Sequence, residues 1–389
     1  MNWDLISLII FYFLLMLFYF THKERFEVQG KIFFLYRTRV GIKLMERLAK
    51  FKILKHLASI GVFVGFAGML FIFVFLIIET LKLVFVPGTL PALAPVLPGI
   101  EIEGAPDLSF WHWIIAIFIT AAIHEFAHGV VSKCQKIKIK SSGFAFLGPI
   151  LAAFVEPDEK RLSKAKTWDQ LRIYAAGPAI NIFLGVVIFV FMIFVMSPVI
   201  GGLYDADGLT VNTVMEGYPM EDIEVPFTIQ SVNGEDSLDV VSFLEATESL
   251  KPGDEVLLGT DKGDHTVVLA ENPENSSKGF FGVSGFGQET VLKEKYSWLG
   301  WAEGVIQWVV LLTIWLFLIN IGIGLFNLLP LGPVDGGRMF YATSLALFKD
   351  EKKAHKAYVW ISLFVLGLIV INMLPWFQDL FMWIFGFLV

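Results

Sequence analysis

Apolar residues in this chain run together in long blocks rather than alternating with polar ones. A helix needs about 20 residues to cross the roughly 30 Å hydrocarbon layer of a bilayer. Six blocks approach or exceed that length and predict about six transmembrane helices, near Leu5–Phe20, Ala58–Val86, Phe110–Val131, Leu171–Ile200, Trp301–Leu329 and Tyr358–Leu374. A shorter block, Trp376–Val389, is expected to lie in the membrane interface.

The composition points to the same class of protein. Of 389 residues, 56% are hydrophobic and 17% are charged, whereas a soluble domain carries about 25% charged residues. A soluble, disordered or disulfide-stabilised protein is therefore excluded. The single cysteine, Cys134, also excludes a cysteine-rich metal site, and a net charge of −7 argues against nucleic-acid binding.

Charges in the connecting segments predict the orientation. Lys and Arg are concentrated between the first and second blocks, between the third and fourth, and after the fifth, whereas residues 87–109 contain neither. Basic loops mark the cytoplasmic side, so the N-terminus is expected outside. The first block follows Asp4 and precedes Lys23 and Arg25, the reverse of a signal peptide, which indicates a retained anchor.

The stretch from Tyr204 to Lys295 is rich in carboxylates and differs from the rest of the chain. Short β-rich runs alternate with turn signals such as Asn233-Gly234, and Ser237–Leu250 has a helical pattern. The β-rich runs are Phe227–Val232, Glu255–Leu258 and Thr266–Leu269. These features predict a soluble α+β domain inserted between the fourth and fifth spans, on the outer face.

The third block contains His124-Glu125-Phe126-Ala127-His128. On a helix, His124 and His128 lie one turn apart on one face and can together hold a zinc ion. Glu125 projects about 100° away, where it can reach a metal-bound water. The alternative is that the histidines form interhelical hydrogen bonds. Ionisable groups inside a membrane span are costly, which favours the metal site.

A catalytic zinc ion needs a third protein ligand and an open position. Asp335 is the best candidate, because it lies at the cytoplasmic end of the fifth span, the same membrane depth as His128. Pro330 and Pro333 break the helix before it, and the glycines that follow permit close backbone approach. On its own, Asp335 is better explained as a helix cap; together with the histidine pair it is better explained as a ligand.

These motifs together resemble those of the site-2 protease family of intramembrane zinc metalloproteases. That family combines HExxH in one span with NxxPxxxxDG in a later one, here His124–His128 and Asn327–Gly336. A GPxxN-type motif often lies between them, and Gly177–Asn181 matches it. The resemblance covers about Phe110 to Phe340.

The resemblance implies one catalytic Zn²⁺ held by His124, His128 and Asp335, with Glu125 as the general base. Zinc would lower the pKa of bound water to about 7 and polarise the scissile carbonyl. Asn181 and Asn327 are expected either to hold the substrate backbone or oxyanion, or to form interhelical hydrogen bonds.

Residues Ser142–Pro157 are apolar, yet their glycines and prolines disfavour a helix. The segment resembles the re-entrant β-hairpin that follows HExxH in this family, and its strand edge would suit pairing with an unwound substrate. The alternative is an interfacial loop.

The inserted segment resembles a PDZ domain, on Thr228–Glu235, Leu250–Val256 and Gly279–Val283. It is expected either to bind peptide or substrate or to act as a size filter.

The sequence therefore predicts a polytopic α-helical membrane protein with an inserted α+β PDZ-like domain. Its expected regions are an N-terminal two-span part (1–109), two parts of the catalytic core (110–203 and 296–348) that flank the inserted domain (204–295), and a C-terminal membrane part (349–389). The expected function is cleavage of peptide bonds within or next to transmembrane segments of membrane protein substrates, in the cell membrane, with the active site toward the cytoplasm.

Three alternatives remain open. A prenyl-protein protease normally uses a glutamate as third ligand, so Asp335 argues against it. A metal transporter would need polar groups through several spans. A catalytically inactive substrate-binding protein would be expected to lack Glu125 or a ligand.

Overall fold

The structure is a computed structural model that describes residues 3–29, 33–100, 102, 104–147, 150–215, 217–273, 275–283 and 286–385. The chain divides into two compact units, Met1–Val190 with Val309–Val389, and Phe191–Trp308. The helices are α1 (Trp3–Thr21), α2 (Ile42–Leu48), α3 (Lys52–Phe85), α4 (Phe110–Cys134), α5 (Glu159–Leu162), α6 (Thr167–Phe191), α7 (Ser197–Leu203), α8 (Val240–Thr247), α9 (Glu303–Phe326), α10 (Asp335–Phe348) and α11 (Glu351–Phe385).

Five helical stretches among the described residues are long and apolar enough to cross a membrane. They are Lys52–Phe85, Phe110–Cys134, Thr167–Leu203, Glu294–Phe326 and Glu351–Gln378. The first predicted span is a shorter apolar helix, Ile6–Thr21. The expectation of a separate segment from Trp376 is wrong as far as Phe385, because α11 continues through Pro375 without a break; residues 386–389 lie outside the described part.

Small residues let α6 pack closely against its neighbours in the first unit. A methyl group added at Gly185 would lie 2.5 Å from the Ile321 side chain of α9, and one at Gly65 of α3 would lie 3.3 Å from Ala175. Close backbone approach is the usual source of helix association in a bilayer. Around these crossings lies a buried apolar cluster that includes Val62, Leu76, Ala175, Leu328, Met339 and Val365.

A four-stranded antiparallel sheet belongs to the same unit, in the order β1 (Phe26–Gln29), β2 (Phe33–Thr38), β3 (Ile139–Leu147) and β4 (Ile150–Pro157). Strands β3 and β4 form the expected hairpin; its residues Gly148 and Pro149 lie outside the described part. Strands β1 and β2 lie in a segment that the sequence analysis treated only as a basic loop. Because β2 pairs with β3, the outer edge of β4 has no strand partner among the described residues; α4 contacts β4, and Glu125 accepts from the N–H of Val155 at this edge.

The second unit is an α+β fold, which agrees with the fold class predicted from the sequence. Its strands are β5 (Tyr204–Val211), β6 (Phe227–Val232), β7 (Glu235–Asp236), β8 (Glu255–Thr260), β9 (Gly263–Val268), β10 (Ala270–Asn272), β11 (Asn275–Phe280) and β12 (Phe286–Leu292). The main sheet has the order β12-β5-β6-β8-β9, with β7 beside β6. Asn233 and Gly234 both have positive φ, 53° and 82°, as a tight turn between β6 and β7 requires.

Candidate active site

Helix α4 brings the two histidines of the HExxH motif together. His124 is buried and His128 follows one turn later on the same face. Their Nε2 atoms lie 3.1 Å apart. Two nitrogen atoms at this separation point toward a common centre rather than outward to lipid.

The non-helical turn between α9 and α10 places Asp335 against this pair. Asp335 is the first residue of α10, is buried, and its Oδ2 atom lies 3.1 Å from Nε2 of both histidines. The turn leading into α10 is tight, because a methyl group at Gly336 would lie 2.2 Å from the carbonyl oxygen of Leu328, and one at Gly337 would lie 2.3 Å from that of Leu331. The two glycines therefore allow the carboxylate to reach the histidines.

This donor set fits a zinc ion. Two imidazole nitrogens and one carboxylate oxygen form a triangle with all sides 3.1 Å, and the three residues form one potential metal-binding group. In a tetrahedral zinc site with bonds of about 2.0–2.1 Å, ligand atoms are about 3.3 Å apart. The observed separations are close to that value, and three protein ligands leave a fourth position for a reactant.

Backbone contact fixes the orientation of His128. Its Nδ1 atom lies 2.6 Å from the carbonyl oxygen of Ile173 in α6. Because that oxygen can only accept, Nδ1 carries the proton, and the lone pair of Nε2 points to the centre that it shares with Nε2 of His124 and Oδ2 of Asp335. This is the usual outer hydrogen bond of a metal-binding histidine.

Asn181 occupies the equivalent position behind His124. It is fully buried, and its side-chain amide lies 3.0 Å from Nδ1 of His124. Since Nε2 of His124 faces the other ligands, Nδ1 must carry the proton and requires an acceptor. With Nδ2 placed toward the ring, Oδ1 of Asn181 is buried without a partner among the described residues. Turning the amide by 180° lets Oδ1 accept the Nδ1 proton of His124.

The position one turn before Asn181 in α6 requires a glycine, Gly177. A methyl group at Gly177 would lie 2.4 Å from Nε2 of both His124 and His128. Any side chain there would collide with the two nitrogen atoms. The backbone of α6 thus forms a wall of the site that must remain bare.

Glu125 faces a polar cavity next to these ligands. The cavity has a volume of about 490 Å³, and its lining includes Glu125, His124, His128, Asp335 and Asn327. The Oε2 atom of Glu125 accepts a hydrogen bond of 3.0 Å from the backbone N–H of Val155 in β4. The carboxylate is therefore held between the metal-binding residues and the outer edge of β4.

Comparison with known proteins identifies the family. The model of Peptidase family M50 matches residues 112–371, which include α4, α6, α10 and the inserted unit. The chain belongs to Peptidase family M50. An uncharacterized protein of Methanocaldococcus jannaschii is 28% identical over 331 residues, which are 84% of this chain and 81% of that protein.

Two solved structures are also similar to part of the chain. The PDZ domains of SdrC-like proteins from Listeria monocytogenes and Listeria innocua are each 20% identical, with TM-scores of 0.19. They cover 21% and 20% of this chain and 88% and 92% of their own.

Membership of Peptidase family M50 confirms the resemblance to site-2 proteases and makes this chain a member of a metallopeptidase family. Its five long apolar helices make it a multi-pass membrane protein. The structure brings together His124, Glu125, His128 and Asp335. Asn327 lines the same cavity, and its Nδ2 atom donates to the carbonyl of Ile323.

Two observations change the picture drawn from the sequence for this M50 peptidase. Asn181 does not line the cavity but contacts His124 from behind. This contact is the interhelical hydrogen bond expected as the alternative to substrate binding, and its partner is a candidate metal ligand. The contributions of Ile173 and Val155 were missed, because they are made by backbone atoms that have no sequence signature.

Proposed function

We propose that the chain is an intramembrane metalloendopeptidase of the site-2 protease type. It would hydrolyse peptide bonds within or next to transmembrane segments of membrane proteins. The observation that carries the proposal is the group of His124, His128 and Asp335 beside the Glu125 carboxylate, in one polar cavity among membrane-length helices.

His124, His128 and Asp335 would hold the zinc ion. When bound, zinc acts as a Lewis acid toward a carbonyl oxygen and lowers the pKa of a water molecule to about 7. Asn181 and the carbonyl of Ile173 hold the imidazoles so that both Nε2 lone pairs face the same point.

Glu125 is the general base in this proposal. Its carboxylate takes a proton from the attacking water and delivers it to the nitrogen of the departing amine, which completes hydrolysis without a covalent intermediate. The N–H of Val155 holds one carboxylate oxygen, and the other oxygen remains for proton transfer. Asn327, on the cavity wall, would bind a carbonyl of the substrate.

The outer edge of β4 has no strand partner among the described residues, and Glu125 of α4 contacts it at Val155; this supports pairing of an extended substrate with the rest of the strand. The N–H of Val155 points away from β3, since it donates to Glu125. Strand residues alternate in direction, so the backbone groups of Ala153 and Leu151 face the same way. A substrate strand paired along this edge would pass next to the catalytic carboxylate, as in β-strand addition. A helical substrate would first unwind to expose its carbonyls.

The proposed setting is the cell membrane. On the positive-inside rule, the active site would face the cytoplasm, and the N-terminus and inserted unit would lie outside. The inserted unit, similar in sequence to a PDZ domain, would bind substrate or exclude bulky ones. The proposed biological role is regulated intramembrane proteolysis, which releases a membrane-tethered regulator or clears a membrane remnant.

The test uses a tagged single-span substrate reconstituted with the protein in liposomes, and mass spectrometry of the products. We expect a cut within the apolar span or a few residues from its end. Cuts confined to the soluble parts of the substrate would overturn the intramembrane assignment, since a peptidase acting outside the membrane would explain them. A substrate whose span carries helix-breaking glycines should be cut faster than one with leucines in their place.

A further inference from the structure

The first turn of α10 places a second charged side chain in the catalytic cavity. Arg338 follows Asp335 by three residues, which puts both on one face of the helix. Arg338 is exposed and lines the same cavity as His124 and Glu125. Its guanidinium group is therefore accessible to whatever peptide occupies that cavity.

The two arginines of the cavity differ in their partners. Arg37 is committed to the protein, because its Nε donates to Glu27 at 2.6 Å and its Nη1 contacts Glu156 and Ser141. Arg338 has no side-chain hydrogen bond or ion pair with any residue that the structure describes. Its five N–H donors are consequently left for a ligand.

Tyr174 holds the guanidinium of Arg338 in place. The Cζ atom of Arg338 lies 5.9 Å from the centroid of the Tyr174 ring, within the range of a cation–π contact. No hydrogen bond joins the two side chains among the described contacts. Asp335, on the same face of α10, contacts His124 and His128 instead. None of the other cavity carboxylates, Glu125, Glu156 and Glu159, forms an ion pair with Arg338 among the described contacts.

We propose that Arg338 binds a carboxylate group of the peptide in the cavity, an inference that rests on the proposed peptidase function. A planar guanidinium pairs with a carboxylate through two parallel hydrogen bonds. The carboxylate comes either from an acidic side chain near the cut or from the chain end that cleavage creates. Arg338 thus acts as a specificity-determining residue that selects acidic sequence or retains the product.

The test measures binding of three fluorescently labelled Leu/Ala peptides to detergent-solubilised protein. One ends in a free carboxylate, one ends in an amide, and one ends in an amide but carries an internal Glu. Metal is removed beforehand with a chelator, so that a bound metal ion cannot account for carboxylate affinity. The proteins are wild type, Arg338→Gln, Arg338→Lys and the control Lys352→Gln, which removes an exposed cation at the start of α11.

We expect wild type to bind at least one carboxylate peptide about tenfold more tightly than the plain amide, the usual effect of one charged hydrogen-bond pair. Arg338→Gln should lose that preference, Arg338→Lys should keep part of it, and Lys352→Gln should keep all of it. Preference for the peptide with an internal Glu would identify an acidic side chain as the ligand, and preference for the free-carboxylate peptide would identify the chain end. Equal affinity for all three peptides in wild type, or an unchanged preference in Arg338→Gln, would overturn the inference.

A cleavage assay on the same proteins separates this inference from the proposed function. Preferential carboxylate binding with no cleavage of any substrate would refute the peptidase and support the carboxylate site. The cleavage substrates are two single-span proteins that differ only by Glu or Gln near the cut. Equal cleavage of both, with no preference among the three peptides, would refute the site alone.

Discussion

Replacing Asn181 by leucine should weaken zinc binding without removing a ligand. The substitution conserves side-chain size but leaves the Nδ1 proton of His124 without an acceptor in a fully buried position. Losing an outer-shell partner typically costs 10–100-fold in metal affinity, or about 1.4–2.7 kcal/mol. An unsatisfied buried donor costs about 1–3 kcal/mol on independent grounds, so the two estimates agree.

The assay is competition for zinc between the purified protein and a chromophoric chelator. Asn372→Leu is the matched control, because Asn372 is an equally buried amide that donates to Thr80 at 2.6 Å in another part of the helical bundle. Asn372→Leu should lower thermal stability but leave zinc affinity unchanged. Asn181→Asp supplies an acceptor and should retain most of the affinity. If Asn181→Asp binds zinc as weakly as Asn181→Leu, the amide does not act as an acceptor and the reasoning is refuted.

Two further predictions follow from contacts in the same unit. Gly177→Ala should reduce zinc content at least tenfold, because the methyl group collides with two ligand nitrogens at 2.4 Å. The control Gly322→Ala in α9, where no atom lies within 4 Å of the added methyl group, should leave zinc content unchanged. Equal zinc content in both variants would contradict the close approach of α6. The Ser141 hydroxyl and the Arg37 guanidinium lower the pKa of Glu156 below its ordinary 4.5. The stabilising effect is therefore complete above pH 4.5 and is lost at lower pH. The free energy of unfolding should differ between wild type and Glu156→Gln by about 1 kcal/mol or less, as for a partly exposed pair, and the corresponding difference in Tm should shrink on acidification. A Tm difference that grows on acidification would show that the pairing is not the cause.

Local spacing made the metal-binding residues predictable. His124 and His128 can be paired because helical periodicity fixes which residues share a face, and Asp335 stands out because two prolines and two glycines surround it in a membrane context. The hydrogen-bond partner of Asn181, His124, was not predictable. It depends on which face of α6 meets α4, and that is decided by small residues such as Gly177 and Gly185 at helix crossings.

The strands β1 and β2 were missed for a different reason. Basic residues dominate the segment, and positive charge near a membrane already has an explanation in topology. A signal was present, since Phe26–Gln29 alternates apolar and polar residues and Phe33–Tyr36 is aromatic-rich. Such short strands become recognisable only once β3 offers an edge to pair with. Likewise, Pro375 separates the last two apolar blocks of the sequence, Tyr358–Leu374 and Trp376–Val389, but α11 continues through it.

The most direct test of the central claim compares wild type with Glu125→Gln for cleavage of a tagged single-span substrate, with zinc measured in the same samples. The account predicts cleavage by wild type, loss of cleavage by at least about 100-fold in Glu125→Gln, and about one zinc ion per chain in both. Glu125 contacts Val155 and is not one of the three grouped ligands, so its loss should spare the metal. Undiminished cleavage by Glu125→Gln, or the absence of metal from both well-folded proteins, would contradict the account.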